Sequence, residues 1–206
     1  MVNPNVIFWE VDTQADFILP GGALYVPGAE RLLPRIRRLT AAARQEKVFL
    51  VSHGCYHSAN DPEFQMFPPH CVKGTPGSAF VPEALAEKVI VVPNEPTPSL
   101  PQNLADYQQI LLEKQTLDIF QSLHADELVK RFADGIEFVV FGVVTEYCVG
   151  FAAKGLLERG RRVSLIKDAI ETLKPEDGAR MTRELYELGA KFVTTDQALA
   201  MLDGSK

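Results

Sequence analysis

Several features that define other protein classes are missing from this sequence of 206 residues. No apolar run approaches the roughly 20 residues that a membrane-spanning helix needs, and the first residues lack the basic leader of an exported protein. The three cysteines show no framework spacing, which argues against a secreted disulfide scaffold. We therefore expect a cytoplasmic protein with reduced thiols and no contact with a membrane.

Positive charge is also scarce. The chain has 21 Lys and Arg against 27 Asp and Glu, a formal net charge of −6. This balance gives no electrostatic reason to expect a nucleic acid or an anionic membrane as partner, and a small molecule fits better. The length and the 46% hydrophobic content suit one sizeable globular domain. We predict a single domain over residues 1–206.

Apolar segments with strand character alternate with segments of helical spacing. The strand-like segments are 6–12, 48–53, 88–93, 109–114, 137–143 and 162–169, with a short candidate at 191–195. The helical segments are 28–47, 125–134, 146–160 and 175–189. This alternation predicts an α/β fold: a parallel β-sheet of about six strands flanked by helices on both faces, in a Rossmann-like three-layer α/β/α arrangement.

Ligands of such folds bind beyond the carboxyl ends of the strands. The predicted ends carry Asp12, His53 and Lys114, together with the turn at 143–148. A charged side chain at the end of a buried strand is costly unless it is paired or used. Asp12 and Lys114 are therefore candidates for chemistry, and the alternative is an ion pair that only ties two strands together.

Cys148 follows the strand-like run that reaches Gly142 and lies in the first turn of a helical segment. The positive end of a helix dipole favours the thiolate there, and free backbone N–H groups could hold an oxyanion. The alternative is a buried core cysteine. If Asp12, Lys114 and Cys148 converge, the carboxylate could take the thiol proton and the ammonium could stabilise the resulting charges.

Three of the four histidines, His53, His57 and His70, lie in or beside the long irregular segment 54–86. Loops of this length in compact domains are functional or disordered. Several histidines in one such segment raise the prospect of a divalent metal site, against the alternative of separate core or surface residues.

Four segments together resemble the nicotinamidase/isochorismatase-like family of cysteine hydrolases. They are "VDTQADF" with "PGGALYVPGAE", "FPPHCVKGTPGS", "EKQTLDIF", and "GVVTEYCVGFAAKGL" followed by "KDA". The resemblance implies the isochorismatase-like fold and a catalytic triad of Asp12, Lys114 and Cys148. It also implies a cis peptide at Val143–Val144 that aims the backbone N–H groups of Val144 and Cys148 at the oxyanion.

The implied reaction is hydrolysis of an amide C–N bond through a thioester on Cys148, with nicotinamide giving nicotinate and ammonia as the leading case. By family position Phe17 and Phe67 would flank a flat ring substrate, unless both are core residues, and Tyr147 would border the pocket. The alternatives are a related amidohydrolase acting on a carbamoyl, ureido or other small amide, and a non-catalytic member that binds a ligand or a metal.

Nicotinamidase-like members often bind a divalent metal through an Asp-x-His motif and a histidine in a "PPHC"-like segment. His70 matches the second element, but Cys55 stands two residues before His57, where the aspartate is expected. We expect His53, His57 and His70 to hold the ion, zinc ahead of manganese, iron or magnesium, with Cys55 as an optional thiolate ligand. The alternative is no metal. We expect no organic cofactor, and a homo-oligomer, because family members often form dimers or tetramers.

Overall fold

The computed structural model of the protein describes residues 5–203. The strands are β1 (Val6–Val11), β2 (Phe49–Cys55), β3 (Val89–Val92), β4 (Gln109–Lys114), β5 (Glu137–Gly142), β6 (Arg162–Ile170) and β7 (Lys191–Val193). They form one sheet in the order β3-β4-β2-β1-β5-β6-β7, and every neighbouring pair is parallel. The predicted parallel α/β fold is confirmed, with seven strands in place of about six.

Helices cover both faces of the sheet. They are α1 (Ala15–Ile18), α2 (Leu33–Arg44), α3 (Ala125–Lys130), α4 (Gly150–Glu158), α5 (Pro175–Glu187) and α6 (Thr195–Ala200). One core packs α1, α2 and α6 against the sheet, and the other packs α3, α4 and α5 against the opposite face. Among residues 5–203, no helix is both long enough and apolar enough to cross a membrane.

The central strand β1 lies between β2 and β5, and all six of its residues are buried. A parallel strand covered on both faces needs an almost continuous apolar run, which explains the segment VIFWEV. The chain leaves β1 towards β2 on one side and later returns on the other side as β5. The crevice at the carboxyl ends of β1 and β5 is therefore the topological switch point, where ligands bind in folds of this kind.

Strand β2 ends two residues later than the sequence suggests. It continues past His53 to Cys55, which pairs with Lys114 at the end of β4. The side chain of Gln14 supports this extension: its Nε2 donates to the Cys55 carbonyl over 2.6 Å, and its Oε1 accepts from the Cys55 N–H over 2.8 Å. His53 consequently lies inside the strand, and Cys55 occupies the carboxyl-terminal position.

The turn after β5 brings Cys148 to the switch point. Gly142 has φ 119°, and a Cβ there would lie 2.0 Å from the Val11 carbonyl oxygen, so a side chain does not fit. The Val143–Val144 peptide is cis, which confirms the prediction for this turn. Helix α4 begins at Gly150, so Cys148 lies in the turn that precedes the helix.

Candidate active site

Three side chains from different strand ends meet at the crevice. Nζ of Lys114 lies 3.0 Å from Oδ2 of Asp12 and 3.5 Å from Sγ of Cys148. All three side chains are buried, with exposed fractions of 1% for Asp12, 0% for Lys114 and 5% for Cys148. The structure therefore brings together the three residues that the sequence singled out for catalysis.

Lys114 remains charged in this buried position. Burial alone would lower its pKa, but the negative charge of Asp12 and the two neighbouring sulfurs raise the pKa well above the usual value of a lysine. The backbone of Asp12 has a positive φ of 49°, and its N–H donates to the His53 carbonyl over 2.9 Å. The carboxylate is thus held at the end of β1, facing the ammonium.

A second sulfur, that of Cys55, belongs to the same cluster. It lies 2.8 Å from Nζ of Lys114 and 3.8 Å from Oδ2 of Asp12. The hydrogen bond from Cys148 lowers the pKa of Cys55 well below the usual value of a thiol, and the charge of Lys114 acts in the same direction against burial. That same bond, together with burial, raises the pKa of Cys148. The two sulfurs are thus linked, and the pKa shifts of the two thiols have opposite directions.

His57 and His70 lie next to Cys55. Nδ1 of His57 is 3.0 Å from Oδ2 of Asp61, and Nδ1 of His70 is 2.8 Å from the Pro68 carbonyl oxygen. The Cys55 sulfur and one nitrogen of each ring all lie within 4.8 Å of one another. In metal-binding histidines the other ring nitrogen is commonly held by a carboxylate or a backbone carbonyl, and the Pro68 carbonyl provides such a contact for His70.

The donor set fits a soft divalent cation. His57 is fully buried, and neither of its ring nitrogens has a hydrogen-bond partner within residues 5–203. Burial lowers the pKa of His57, but the neighbouring Cys55, Asp61 and Glu63 raise it to about 9. One thiolate with two imidazoles is the ligand type that selects zinc over magnesium or manganese.

His53 does not join this group. It is fully buried inside β2, and its Nδ1 lies 3.6 Å from Oδ1 of Asp12. Burial lowers the pKa of His53, which favours a neutral ring beside the Asp12 carboxylate. The structure places Cys55 with the two other predicted ligands instead, because β2 continues past His53.

Glu63 is a site residue that the sequence analysis missed. Its Oε1 lies 3.8 Å from Nε2 of both His57 and His70. The short turn Pro62–Gln65 presents it, and Asp61 caps this turn by accepting a hydrogen bond from the Glu63 N–H over 2.9 Å. Burial raises the pKa of Glu63. The sequence signal was weak: an acidic residue between two histidines in an irregular loop.

A narrow cleft with a cavity volume of about 20 Å³ opens next to Cys148. All three residues predicted for substrate binding line it, namely Phe17, Phe67 and Tyr147. The rings of Phe67 and Tyr147 meet edge to face with centroids 5.5 Å apart, and Phe17 packs 5.2 Å from the ring of His70. Such walls suit a flat ring.

The remaining apolar wall of the cleft comes from Leu24, Leu117 and Leu173, which the sequence analysis did not identify. Val144 also lines the cleft, and its carbonyl accepts hydrogen bonds from the N–H groups of Tyr147 and Val149, which fixes the turn that carries Cys148. The cleft combines an apolar enclosure with a small number of polar groups, as ligand sites commonly do.

The Isochorismatase domain matches this sequence over residues 7–93 and 86–197, which include all three residues of the predicted triad. The chain belongs to the isochorismatase family. The resemblance inferred from the sequence is thereby confirmed, and so is the enzyme class: the protein is a nicotinamidase-like hydrolase that acts on carbon–nitrogen bonds.

Three relatives illustrate the relationship. Nicotinamidase of Escherichia coli K12 is 26% identical over 207 residues, covering 89% of this chain and 92% of that protein. Streptothricin hydrolase of Streptomyces noursei is 32% identical over 162 residues, 79% of this chain, but the chain spans only 48% of that protein. The crystal structure of Pyrococcus horikoshii pyrazinamidase in complex with zinc shares 27% identity and a TM-score of 0.73, covering 93% of this chain and 99% of that chain.

Proposed function

We propose that the protein hydrolyses the carboxamide of a small ring compound through a thioester on Cys148, with nicotinamide giving nicotinate and ammonia as the leading reaction. One observation carries this proposal: a single buried ammonium, that of Lys114, contacts both the Asp12 carboxylate and the Cys148 sulfur beside an aromatic cleft. The names of two relatives, a nicotinamidase and a pyrazinamidase, support the same class of substrate.

In the first step Asp12 takes the thiol proton while the Cys148 sulfur attacks the amide carbonyl carbon. The carbonyl π electrons move to oxygen, and the backbone N–H groups of Val144 and Cys148 hold the resulting oxyanion. Lys114 keeps the carboxylate and the sulfur in place throughout. This assignment requires Cys148 to be protonated at rest, in agreement with its raised pKa.

In the second step the tetrahedral adduct collapses and the C–N bond breaks. Asp12 returns its proton to the nitrogen, so that ammonia leaves and the acyl group remains on Cys148 as a thioester. In the third step Asp12 takes a proton from water as the water oxygen attacks the thioester carbon. The C–S bond then breaks, the sulfur recovers the proton, and the carboxylic acid leaves.

The aromatic wall of the cleft would orient the substrate. A flat ring placed between Phe67 and Phe17 would direct its carboxamide towards Cys148 at the base of the cleft. Tyr147 is partly buried beside Phe67 and closes the same side. An apolar enclosure also limits access of water to the thioester until the amine has left.

We further propose that Cys55, His57 and His70 hold one divalent ion, zinc ahead of manganese, iron or magnesium. The grouping of their ligand atoms and the zinc in the Pyrococcus horikoshii relative support this ion. A bound zinc ion would supply a Lewis acid at the cleft wall for a ring nitrogen or a carbonyl oxygen of the substrate. Glu63, between the two rings, is the carboxylate nearest to the proposed ion site.

The test is ammonia release from nicotinamide by the protein loaded with zinc or with manganese. Cys148→Ala serves as the matched control, because a buried sulfur is removed without adding volume. We expect release by the wild type and none by the variant. Absence of release at high enzyme concentration with both metals would contradict nicotinamide as the substrate.

A second candidate is a different small amide, such as a carbamoyl or ureido compound. The observation that favours it is Cys55, which replaces the expected aspartate and changes the ion that faces the cleft. Streptothricin hydrolase, which is 32% identical over its matched part, bears the name of a different substrate. A panel of carboxamides, carbamoyl compounds and ureido compounds, assayed for ammonia with the same Cys148→Ala control, separates the two candidates.

A further inference from the structure

We propose that Leu173 sets the upper size limit of the acyl group by separating the catalytic cleft from a neighbouring groove, an inference that rests on the proposed amide hydrolysis. Leu173 lines the narrow cleft beside Cys148. It also lines a groove of about 390 Å³, which Lys174 and the first residues of α5 complete. Within residues 5–203, no other residue lines both spaces.

The position of Leu173 is fixed from both sides by one carboxylate. Oε2 of Glu146 accepts a hydrogen bond from the Thr172 hydroxyl over 2.5 Å. Oε1 of Glu146 accepts one from the Lys174 backbone N–H over 2.8 Å. Hydrogen bonds to a carboxylate are stronger than bonds between neutral groups. Both chain neighbours of Leu173 are therefore held by the same side chain.

Glu146, which holds both chain neighbours of Leu173, belongs to the turn that carries the proposed nucleophile. Glu146 lies two residues before Cys148 and is only 8% exposed. The backbone N–H and the hydroxyl of Thr145 both donate to the Glu171 carbonyl oxygen, each over 2.8 Å. The turn that carries Cys148 and the segment 171–174 thus form one hydrogen-bonded unit, which holds the backbone of Leu173 beside that turn.

The consequence concerns the substrate. With Leu173 in place, a substrate substituent directed at Leu173 meets the side chain that lines the cleft on this side. Without that side chain, the cleft would open into the groove, and a larger acyl group would extend along it. Leu173 is therefore a specificity-determining residue, and Glu146 is its positioning residue.

The test compares how fast Cys148 reacts with a small and a large thiol reagent, iodoacetamide and N-benzyl iodoacetamide, each followed by peptide mass spectrometry. Leu173→Ala is expected to raise the relative rate of the large reagent about tenfold or more, as pocket changes of this size do. Leu24→Ala is the matched control, because it removes the same atoms from the cleft wall without opening the groove. Thr172→Val, which loses the hydroxyl bonded to Glu146, should give a smaller shift in the same direction.

Equal effects of Leu173→Ala and Leu24→Ala, or no change in the relative rate, would overturn the role of Leu173. Ammonia release from nicotinamide and from a 5-substituted nicotinamide is measured on the same samples. If the wild type releases ammonia but Leu173→Ala does not gain the larger substrate, the inference fails and the proposed function stands. If no amide is hydrolysed but the alkylation pattern appears, the proposed substrate fails while Leu173 still closes the cleft around Cys148.

Discussion

Lys114 donates a hydrogen bond to the sulfur of Cys55 over 2.8 Å, although the proposed nucleophile is the other sulfur, 3.5 Å away in Cys148. Two sulfurs therefore share one ammonium. Cys55 also neighbours the two histidines of the proposed metal site. It is consequently the physical connection between the acid–base cluster and that site, and its chemistry affects both.

Replacing Cys55 should change which metal the protein prefers. Cys55→Asp exchanges a soft thiolate for a hard carboxylate, so we expect selectivity to move from zinc towards manganese and magnesium. The measurement is metal content after dialysis against equal concentrations of zinc and manganese. The cobalt-loaded wild type should also show a sulfur-to-cobalt charge-transfer band that the variant lacks.

Cys71→Ser is the control for this prediction. Cys71 is also buried, but its sulfur contacts the Gly77 carbonyl and lies outside the proposed ligand group. The variant should keep both the zinc preference and the charge-transfer band. A wild type that binds cobalt without that band would show that Cys55 is not a ligand.

Removing the carboxylate charge should stop proton transfer. Asp12→Asn keeps the shape of the side chain but cannot accept the thiol proton, so we expect kcat/KM to fall about 10²- to 10⁴-fold. The variant also leaves Lys114 without its ion-pair partner, and breaking a buried pair costs about 3–5 kcal/mol of unfolding free energy. Urea unfolding of the variant identifies the concentration range in which it is folded, and kinetics within a few-fold of the wild type there would contradict the role of Asp12.

The carboxylate behind His57 should control metal affinity. Asp61→Asn removes the negative charge that lies 3.0 Å from Nδ1 of His57, and we expect zinc affinity to weaken about 10- to 100-fold. Competition with a chromophoric chelator measures the Kd. Asp196→Asn, in an exposed pair with Arg38, is the control and should leave the Kd unchanged. An equal Kd for Asp61→Asn would argue that His57 is not a ligand.

A buried carboxyl in β1 should make stability depend on pH. Burial raises the pKa of Glu10 to about 8, from 4.5 in an unperturbed glutamate, while the hydrogen bond from Ser52 acts in the opposite direction. The folded state therefore keeps a proton that the unfolded chain has released. The contribution of Glu10 to stability is complete below about pH 4.5 and is lost as the pH rises to about 8.

Glu10→Gln stays neutral at every pH, so its stability advantage over the wild type should grow by a few kcal/mol between about pH 5 and about pH 8.5. The measurement is the difference in unfolding free energy in urea at the two pH values. A difference that does not change with pH would show that Glu10 ionises normally in the folded protein.

The strands of the sheet could be predicted because short apolar runs in the sequence mark them. Strands buried on both faces require apolar runs, and these runs predicted the course of β1, β4 and β5. Their carboxyl ends then placed Asp12, Lys114 and the turn with Cys148 at one edge before any motif was considered. Parallel strands end at the same edge, so residues distant in sequence meet there.

The end of β2 was not predictable, because distant contacts decide it. The Gln14 side chain bonds both backbone groups of Cys55, and no pattern within the strand reports that contact. Glu63 and Leu173 were not predicted as site residues for a similar reason. Both lie in segments without regular periodicity that approach the cleft only in the folded chain. Local sequence gives no periodicity in such segments, so their side-chain directions come from the tertiary structure.

The most direct test of the account is to trap the acyl group during turnover. The enzyme is mixed with nicotinamide, quenched in acid within the first turnover, digested, and searched by mass spectrometry for a nicotinoyl adduct. We predict the adduct on the peptide that contains Cys148, and neither adduct nor ammonia with Cys148→Ala. Ammonia release by Cys148→Ala at the wild-type rate, or an adduct on Cys55 instead, would contradict the proposal that the Cys148 sulfur is the nucleophile.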